Sequence, residues 1–250
     1  MYVVTTIYEF SIYQGKPNKY QFGLDSMSGD IIVHPSLMID TYNKPKLVKG
    51  KIGKAVKLNG QSQVVDFGEH ENDCLGNLDL CHHGALLALW FKPTNFEHNM
   101  YFLSNGHNGI TVTNQGNDVI ITASTTTKKW KIITDKVRTH KWHFMEISWD
   151  PEKGLEFYIN NKLIESDYVA SQRTDPIPTD LVGGAVEDKF YLGRGNVYME
   201  RDTYGKGVFD ELEYWYGPRD YLKAFGYLKR GTIVTSFYVW LFKCQRIQLA

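Results

Sequence analysis

Short strand-like runs separated by turn residues recur along this chain, and that pattern constrains its fold more than any other feature. In His143–Trp149, apolar and polar side chains alternate with the period of a half-buried strand. Ala85–Phe91 is continuously apolar and short, which predicts a strand buried on both faces and leaves a buried helical turn as the alternative. Asn59-Gly60 and Asn160-Asn161 separate such runs and suit hairpin turns. Strands at this spacing, without helical patterns between them, predict an all-β sandwich.

The C-terminal part departs from that pattern. Residues 219–230 predict one short helix, with Asp220 as its N-cap and Gly231 as its end. Thr232–Phe242 is an apolar run of eleven residues, too short for a membrane span, which needs about 20 residues. We assign residues 232–250 to an apolar C-terminal tail, for which an extra strand and the truncated beginning of another segment are both open.

Charge and composition exclude two classes of partner. Lys+Arg and Asp+Glu balance at 28 each, so no net field attracts nucleic acid or an anionic membrane surface. Residues 1–19, assigned to an N-terminal extension, lack the charged start and uninterrupted apolar core of a secretory signal. If the domain is extracellular, we expect the chain to be a fragment of a longer protein or an incomplete gene model. Contact with a membrane would then be made through the parent protein.

Two of the three cysteines lie close together in the sequence. Cys74 and Cys81 enclose six residues, while Cys244 stands alone near the C-terminus. The spacing is too long for a CxxC redox pair and suits a disulfide that closes a small loop, which would contribute about 2–3 kcal/mol. Such a bridge would imply an oxidising compartment, and two free thiols are the alternative.

Several local patterns follow one another in a fixed order. They are FGLD at 22–25 with SG at 28–29, LVKGKIGKAVKLNG at 47–60, LLALWF at 86–91, WHFMEISW at 142–149 and FDELEYW at 209–215. Their order and spacing resemble the laminin-G-like (LamG-like) domains of the concanavalin A-like superfamily, over about residues 20–231. The resemblance implies a two-sheet antiparallel jelly-roll sandwich. It leaves function open, because carbohydrate-binding modules, adhesion domains, pentraxins and some glycosidases share the fold.

Asp210 is the most informative ionisable residue. It has the sequence parity of Val208, Leu212 and Tyr214, which predicts that its side chain faces the core. An unpaired buried carboxylate is costly, so a cation, a basic side chain or several backbone donors must stabilise it.

The resemblance implies that this partner is a structural calcium ion. In the resembled family an aspartate at this motif often joins oxygen ligands from the opening segment of the domain. The matching ligands would be the side chains of Asp25 and Asp210, with backbone carbonyls at Gly29 and Gly60. The alternative is that Asp210 pairs with a basic side chain or caps a turn.

Other polar residues suggest no metal or catalytic centre. His82 and His83 are neighbours that would point to opposite faces of a strand, so we interpret them, like His140 and His143, as surface residues. Glu211 and Glu213 have the i, i+2 spacing that a retaining glycosidase could use, yet the compact Glu-x-Asp-x-x-Glu signature is absent. Tyr198 and Tyr204, in the 194–207 loop, are candidate ligand-binding residues.

These observations predict a non-catalytic extracellular recognition or adhesion module. Its ligand would be a glycan or an extracellular protein, bound through the loops of the sandwich. A structural spacer domain of a larger receptor or matrix protein and a glycosidase-like enzyme on the same fold are the alternatives.

Overall fold

The described part of the chain forms a β-sandwich with one short α-helix and one 3-10 helix, Leu78–Leu80. The computed structural model describes residues 19–28, 31–32, 39–96, 99–174, 189–196, 203–224, 228–229 and 232–233. The first ten strands are β1 (Lys19–Phe22), β2 (Met27–Ser28), β3 (Ile31–Ile32), β4 (Ile39–Tyr42), β5 (Lys46–Lys49), β6 (Lys54–Asn59), β7 (Val64–Glu69), β8 (Ala85–Pro93), β9 (Tyr101–Ser104) and β10 (Ile110–Gln115).

The second half of the chain continues in the same way. Its elements are β11 (Asp118–Ser124), β12 (Lys128–Thr134), β13 (His143–Asp150), β14 (Gly154–Ile159), β15 (Lys162–Asp167), β16 (Ser171–Gln172), β17 (Lys189–Leu192), β18 (Lys206–Tyr216), α1 (Arg219–Ala224), β19 (Leu228–Lys229) and β20 (Thr232–Ile233). The strand prediction for Ala85–Phe91 is therefore confirmed. None of the helices among the described residues is long and apolar enough to span a membrane.

Two antiparallel sheets form the layers of the sandwich. The first has the order β15-β14-β13-β8-β18-β6-β5, with β1 also paired to β18, and the second runs β16-β12-β11-β10-β9-β17-β7-β4-β3-β2. Strands that are distant in sequence, such as β8 and β18, are hydrogen-bonded neighbours, which is the connectivity of a jelly roll. The predicted fold class is confirmed.

Aromatic side chains from both sheets fill the space between the layers. Phe22 lies with its ring centroid 4.6 Å from that of Phe67, and Trp130 packs edge-on against Trp149 at 5.5 Å. All four are buried, and their strands belong to both sheets. Burial of this apolar surface is the main stabilising contribution to the sandwich.

A β-bulge in β18 changes which of its side chains face the core. The register with β8 shifts between Asp210 and Glu213, and Glu211 has a φ of 46°. Phe209 packs in the core before the bulge and Leu212 after it. The prediction that Asp210 faces the core is therefore wrong: its side chain lies on the other face of the sheet, because the inserted residue resets the alternation.

The C-terminal helix is shorter than predicted and begins differently. It spans Arg219–Ala224, so Asp220 lies in its first turn rather than at its N-cap. The Ser148 hydroxyl accepts a hydrogen bond from the Arg219 backbone N–H and satisfies one donor that a cap would otherwise hold. Gly231 lies outside the described residues. Residues 1–18 and 234–250 also lie outside the described residues, so the predicted bounds of the domain stay a prediction.

The predicted disulfide is confirmed. Cys74 and Cys81 are bonded with Cα atoms 4.8 Å apart. The Tyr214 hydroxyl, which belongs to β18, donates a hydrogen bond of 2.7 Å to the Cys74 carbonyl. The loop closed by the disulfide is thus hydrogen-bonded to β18 of the first sheet.

Candidate ligand-binding face

The outer face of the first sheet consists of the side chains that point away from the core. Strand register places one row of this face in the order Tyr158, Glu146, Ala88 and Glu213 across β14, β13, β8 and β18. Two glutamates are thereby brought to the same level of the sheet and separated by a small side chain. Sequence reasoning could not pair them, because they lie on strands far apart in the chain.

Helix α1 supplies the partner of Glu146. The Arg219 Nε donates a hydrogen bond of 3.0 Å to Glu146 Oε1, and both side chains are almost fully buried. The guanidinium lies 4.0 Å from the ring centroid of Tyr158, a cation–π distance. Burial, followed by the hydrogen bond to Glu156, raises the pKa of the Tyr158 hydroxyl. The Glu146 carboxylate is thus held by a fixed cation.

Glu213 has partners of its own. Its Oε2 accepts a hydrogen bond of 3.0 Å from the Trp215 indole N–H, and its Oε1 lies 3.6 Å from Lys19 Nζ. Burial raises the pKa of Glu213, and Lys19 and the indole act in the opposite direction. Glu211 lies in the bulge, where burial and the nearby Asp210 raise its pKa. The i, i+2 spacing of Glu211 and Glu213 in the sequence is therefore interrupted by the bulge in the ladder.

Asp210 holds a tight turn between β5 and β6. Its Oδ2 accepts hydrogen bonds from the backbone N–H groups of Lys51 at 2.7 Å and Ile52 at 2.9 Å. A Cβ atom at Gly50 would lie only 2.6 Å from the same oxygen, so the turn approaches the carboxylate closely because Gly50 has no side chain. The other oxygen, Oδ1, is buried without a hydrogen bond of ordinary geometry among the described residues.

Asp25 holds the same turn from its other side. Its Oδ1 accepts a hydrogen bond of 2.6 Å from the Lys54 backbone N–H. The two carboxylates are close enough for Asp25 to raise the pKa of Asp210, although burial has the larger effect in the same direction. Asp25 and Asp210, predicted as partners, are therefore brought together. Asp210 also has the turn-capping role given as its alternative, and Asp25 accepts a hydrogen bond from the same turn.

Of the two other predicted ligands, Gly60 lies away from this pair. Gly60 follows the far end of β6, so the length of that strand, about 20 Å, separates it from the turn. Gly29 lies outside the described residues. No group of three or more His, Cys, Asp and Glu side chains arranged to hold a metal occurs in the part of the chain that the structure describes.

Tyr204 lies beside the second sheet, away from these residues. It is half-buried and forms an isolated parallel bridge with Tyr101 of β9. Tyr198 is outside the described residues. A ligand-binding role for the 194–207 loop remains a prediction.

Of the four histidines predicted to lie at the surface, three are exposed and one is buried. His82 and His83 are exposed, as predicted, and so is His140. His143 is buried, and its Nε2 lies within 3.0 Å of the backbone N–H and carbonyl of Arg138. The prediction of a surface position for His143 is wrong, because the first residue of β13 already belongs to the buried part of the sheet.

Two tryptophans on the outer face were not predicted as site residues. Trp90 and Trp142 are partly exposed, and a lysine lies over each ring. Lys51 Nζ lies 4.9 Å from the ring centroid of Trp90, and Lys92 Nζ lies 5.0 Å from that of Trp142. In the sequence, the alternation of side chains along β8 and at the start of β13 could have placed both tryptophans on the outer face. That requires knowing which residues of those strands face the core.

We expect Asp210→Ala to lower the free energy of unfolding by about 2 kcal/mol, because two backbone N–H groups lose their acceptor. Asp210→Asn retains an acceptor oxygen and should cost less. Urea denaturation of the two variants measures the difference. Equal losses in both variants would show that the turn does not depend on these hydrogen bonds.

A pH dependence follows from the three carboxyl groups at the bulge. Burial is the largest cause that raises the pKa values of Asp210, Glu211 and Glu213. The folded state thus binds their protons more tightly than the unfolded state does, and their stabilisation is lost as pH rises through the raised values. We expect the melting temperature to fall as pH is raised from about 4, the ordinary carboxyl pKa. A rise instead of a fall would contradict the assignment, and Glu213→Gln should flatten the profile.

Comparison with known proteins identifies relatives by sequence and by fold. The sequence model described as the concanavalin A-like lectin/glucanases superfamily matches residues 67–220, more than half of the chain. No curated protein matches the sequence. Domain 4 of AbnA, a GH43 extracellular arabinanase from Geobacillus stearothermophilus in complex with arabinotriose, is similar at 17% identity and a TM-score of 0.52. The similarity covers 82% of this chain and 95% of that domain.

Two toxin binding domains have the same fold. That of Paraclostridial Mosquitocidal Protein 1 is 12% identical with a TM-score of 0.57, over 80% of this chain and 48% of the other. That of botulinum neurotoxin DC, in complex with SialylT, is 14% identical with a TM-score of 0.50, over 76% and 46%. The chain therefore spans about half the length of these toxin domains. At such identities the similarity shows the fold.

Proposed function

Because the chain belongs to the concanavalin A-like lectin/glucanase superfamily, we propose that it is a non-catalytic recognition module that binds a carbohydrate. The observation that carries the proposal is the pair of partly exposed tryptophans, Trp90 and Trp142, on the outer face of the first sheet. Aromatic rings at such positions present flat apolar surface with little loss of conformational entropy on binding. Two structures of similar fold support a sugar ligand, since one is described with arabinotriose and the other with SialylT.

The carboxylates of the same face support binding without catalysis. A glycosidase needs two accessible carboxyl groups on either side of the scissile bond. Glu146 and Glu213 lie in one row of this face, and both are buried. Glu146 is held by Arg219, and Glu213 by Lys19 and the Trp215 indole. A group fixed in this way cannot approach a sugar as a free acid or base without breaking its ion pair.

A glycan array measured with the intact chain, in calcium and in chelator, tests this function. We expect binding to a defined group of glycans. Binding to a protein ligand without any glycan signal would replace the carbohydrate by a protein partner. No ligand of either kind would favour the spacer role. Turnover of β-glucans that disappears in Glu213→Gln would overturn the non-catalytic assignment.

We also propose that a calcium ion binds between Asp25 and Asp210. The buried Asp210 Oδ1 supports it, because a cation would supply a partner to an oxygen that has no hydrogen bond of ordinary geometry within the described ranges. Calcium should raise the melting temperature of the wild type and leave Asp210→Asn unchanged. An identical melting temperature in calcium and in chelator would eliminate the ion.

We further propose that the protein is extracellular. The Cys74–Cys81 disulfide supports this location, since such bridges persist in oxidising compartments.

A further inference from the structure

One hairpin of this neutral chain carries a local excess of positive charge. The segment 44–57 contains six lysines and no acidic residue, although basic and acidic residues balance at 28 each over the whole sequence. This segment forms β5, the tight turn held by Asp210, and β6. The hairpin is the edge of the first sheet and adjoins β18. A local excess of charge therefore lies beside the tryptophans of the outer face.

Strand register aligns part of this charge across four strands. Lys46 lies opposite Lys57, and Lys57 and Lys92 lie on either side of Val208. The three lysines, which we term the lysine row, point away from the core because their neighbours in sequence pack inside it. The row crosses three strand spacings, about 14 Å. Its end at Lys92 contacts Trp142.

The lysine row is unfavourable for the folded protein on its own. Like charges directly opposite each other on neighbouring strands are destabilising, and two of the four register pairs in the hairpin are Lys–Lys. Lysine protects an edge strand such as β5 from aggregation, but Lys57 and Lys92 lie on interior strands where no such protection is needed. Among the described residues, no carboxylate forms an ion pair with Lys46, Lys57 or Lys92.

We infer that the lysine row, with Trp90 and Trp142, binds an acidic polysaccharide. This inference rests on the proposed function and names its ligand class. A carboxylate or sulfate group would neutralise the opposed ammonium groups, which compensates for the repulsion between them. An acidic polysaccharide is favoured over nucleic acid and anionic membranes, because the charge lies directly beside Trp90 and Trp142, the rings of the proposed carbohydrate site.

The lysines over the tryptophan rings explain how acidic sugars are selected. Lys51 and Lys92 cover the rings of Trp90 and Trp142, so a sugar that stacks there must displace an ammonium group. A neutral sugar has no anionic group with which the displaced ammonium group could form an ion pair. An acidic sugar accepts the ammonium on its carboxylate or sulfate while its ring takes the place on the tryptophan. Acidic glycans therefore bind with two favourable contacts and neutral ones with one.

Titration of the intact chain with three polysaccharides tests the inference. The probes are polygalacturonate, which carries carboxylates, dextran sulfate, which carries sulfates, and neutral dextran. We expect at least one acidic polymer to bind, with an affinity that falls as salt rises. Lys57→Gln/Lys92→Gln should bind it about tenfold more weakly. The control Lys128→Gln/Lys162→Gln removes the same charge from β12 and β15, away from the row, and should change the affinity by less than about twofold.

The outcomes separate this inference from the proposed function. Equal losses in the two double variants would overturn the lysine row as the site. Binding of neutral glycans alone would overturn the acidic ligand and leave the carbohydrate function standing. Tighter binding to duplex DNA or to phosphatidylserine vesicles than to either acidic polymer would overturn the glycan as the ligand. Melting curves of both double variants confirm that each is folded before its affinity is compared.

Discussion

Arg219→Met is expected to lower the free energy of unfolding by about 4 kcal/mol, the largest effect of any single change considered for this chain. The substitution leaves Glu146 buried without its cation, and removing one member of a buried pair costs far more than the pair itself contributes. The loss includes the contact of the guanidinium with Tyr158. Chemical denaturation of the variant measures it directly.

A double-mutant cycle separates the ion pair from packing. Arg219→Met/Glu146→Gln should recover part of the stability, because a neutral amide is less costly to bury than an unpaired carboxylate. The exposed Lys136–Asp135 pair is the matched control, and Lys136→Met should leave the free energy of unfolding almost unchanged. If Arg219→Met and Lys136→Met cost the same, Glu146 is not held by a buried cation.

Cys74→Ala/Cys81→Ala is expected to destabilise the chain by about 2.5 kcal/mol, chiefly because the unfolded state gains freedom when the short loop is opened. The native loop keeps its hydrogen bonds from Tyr214 to Cys74 and from Asn105 to Leu75, so the folded structure should persist. A reductant should lower the stability of the wild type by a similar amount and leave the double variant unchanged. If the reductant also destabilised Cys74→Ala/Cys81→Ala, its effect on stability would not come from the Cys74–Cys81 bond.

The β-sandwich was predictable because its cause is local. Alternation in His143–Trp149 and the apolar run at Ala85–Phe91 determine strands by their own periodicity. The bond between Cys74 and Cys81 was predictable for the same reason, since only a short loop separates them.

The outer face was not predictable, because its arrangement depends on register between distant strands. The bulge at Glu211 reverses the facing of Asp210, and nothing in FDELEYW signals where an extra residue enters the ladder. Arg219 and Glu146 are 73 residues apart and meet only because α1 packs against β13. Lys57 and Lys92 likewise become neighbours of one residue, Val208, only in the folded sheet.

The outer face of the first sheet is the proposed carbohydrate-binding site. Calorimetric titration with the best glycan from the array, comparing the wild type with Trp90→Ala/Trp142→Ala, tests it most directly. The control is Tyr42→Ala, which removes an exposed aromatic side chain from the second sheet. We predict that the double variant loses at least about 2 kcal/mol of binding free energy and the control almost none. Undiminished binding by a folded Trp90→Ala/Trp142→Ala variant would contradict the assignment of this face.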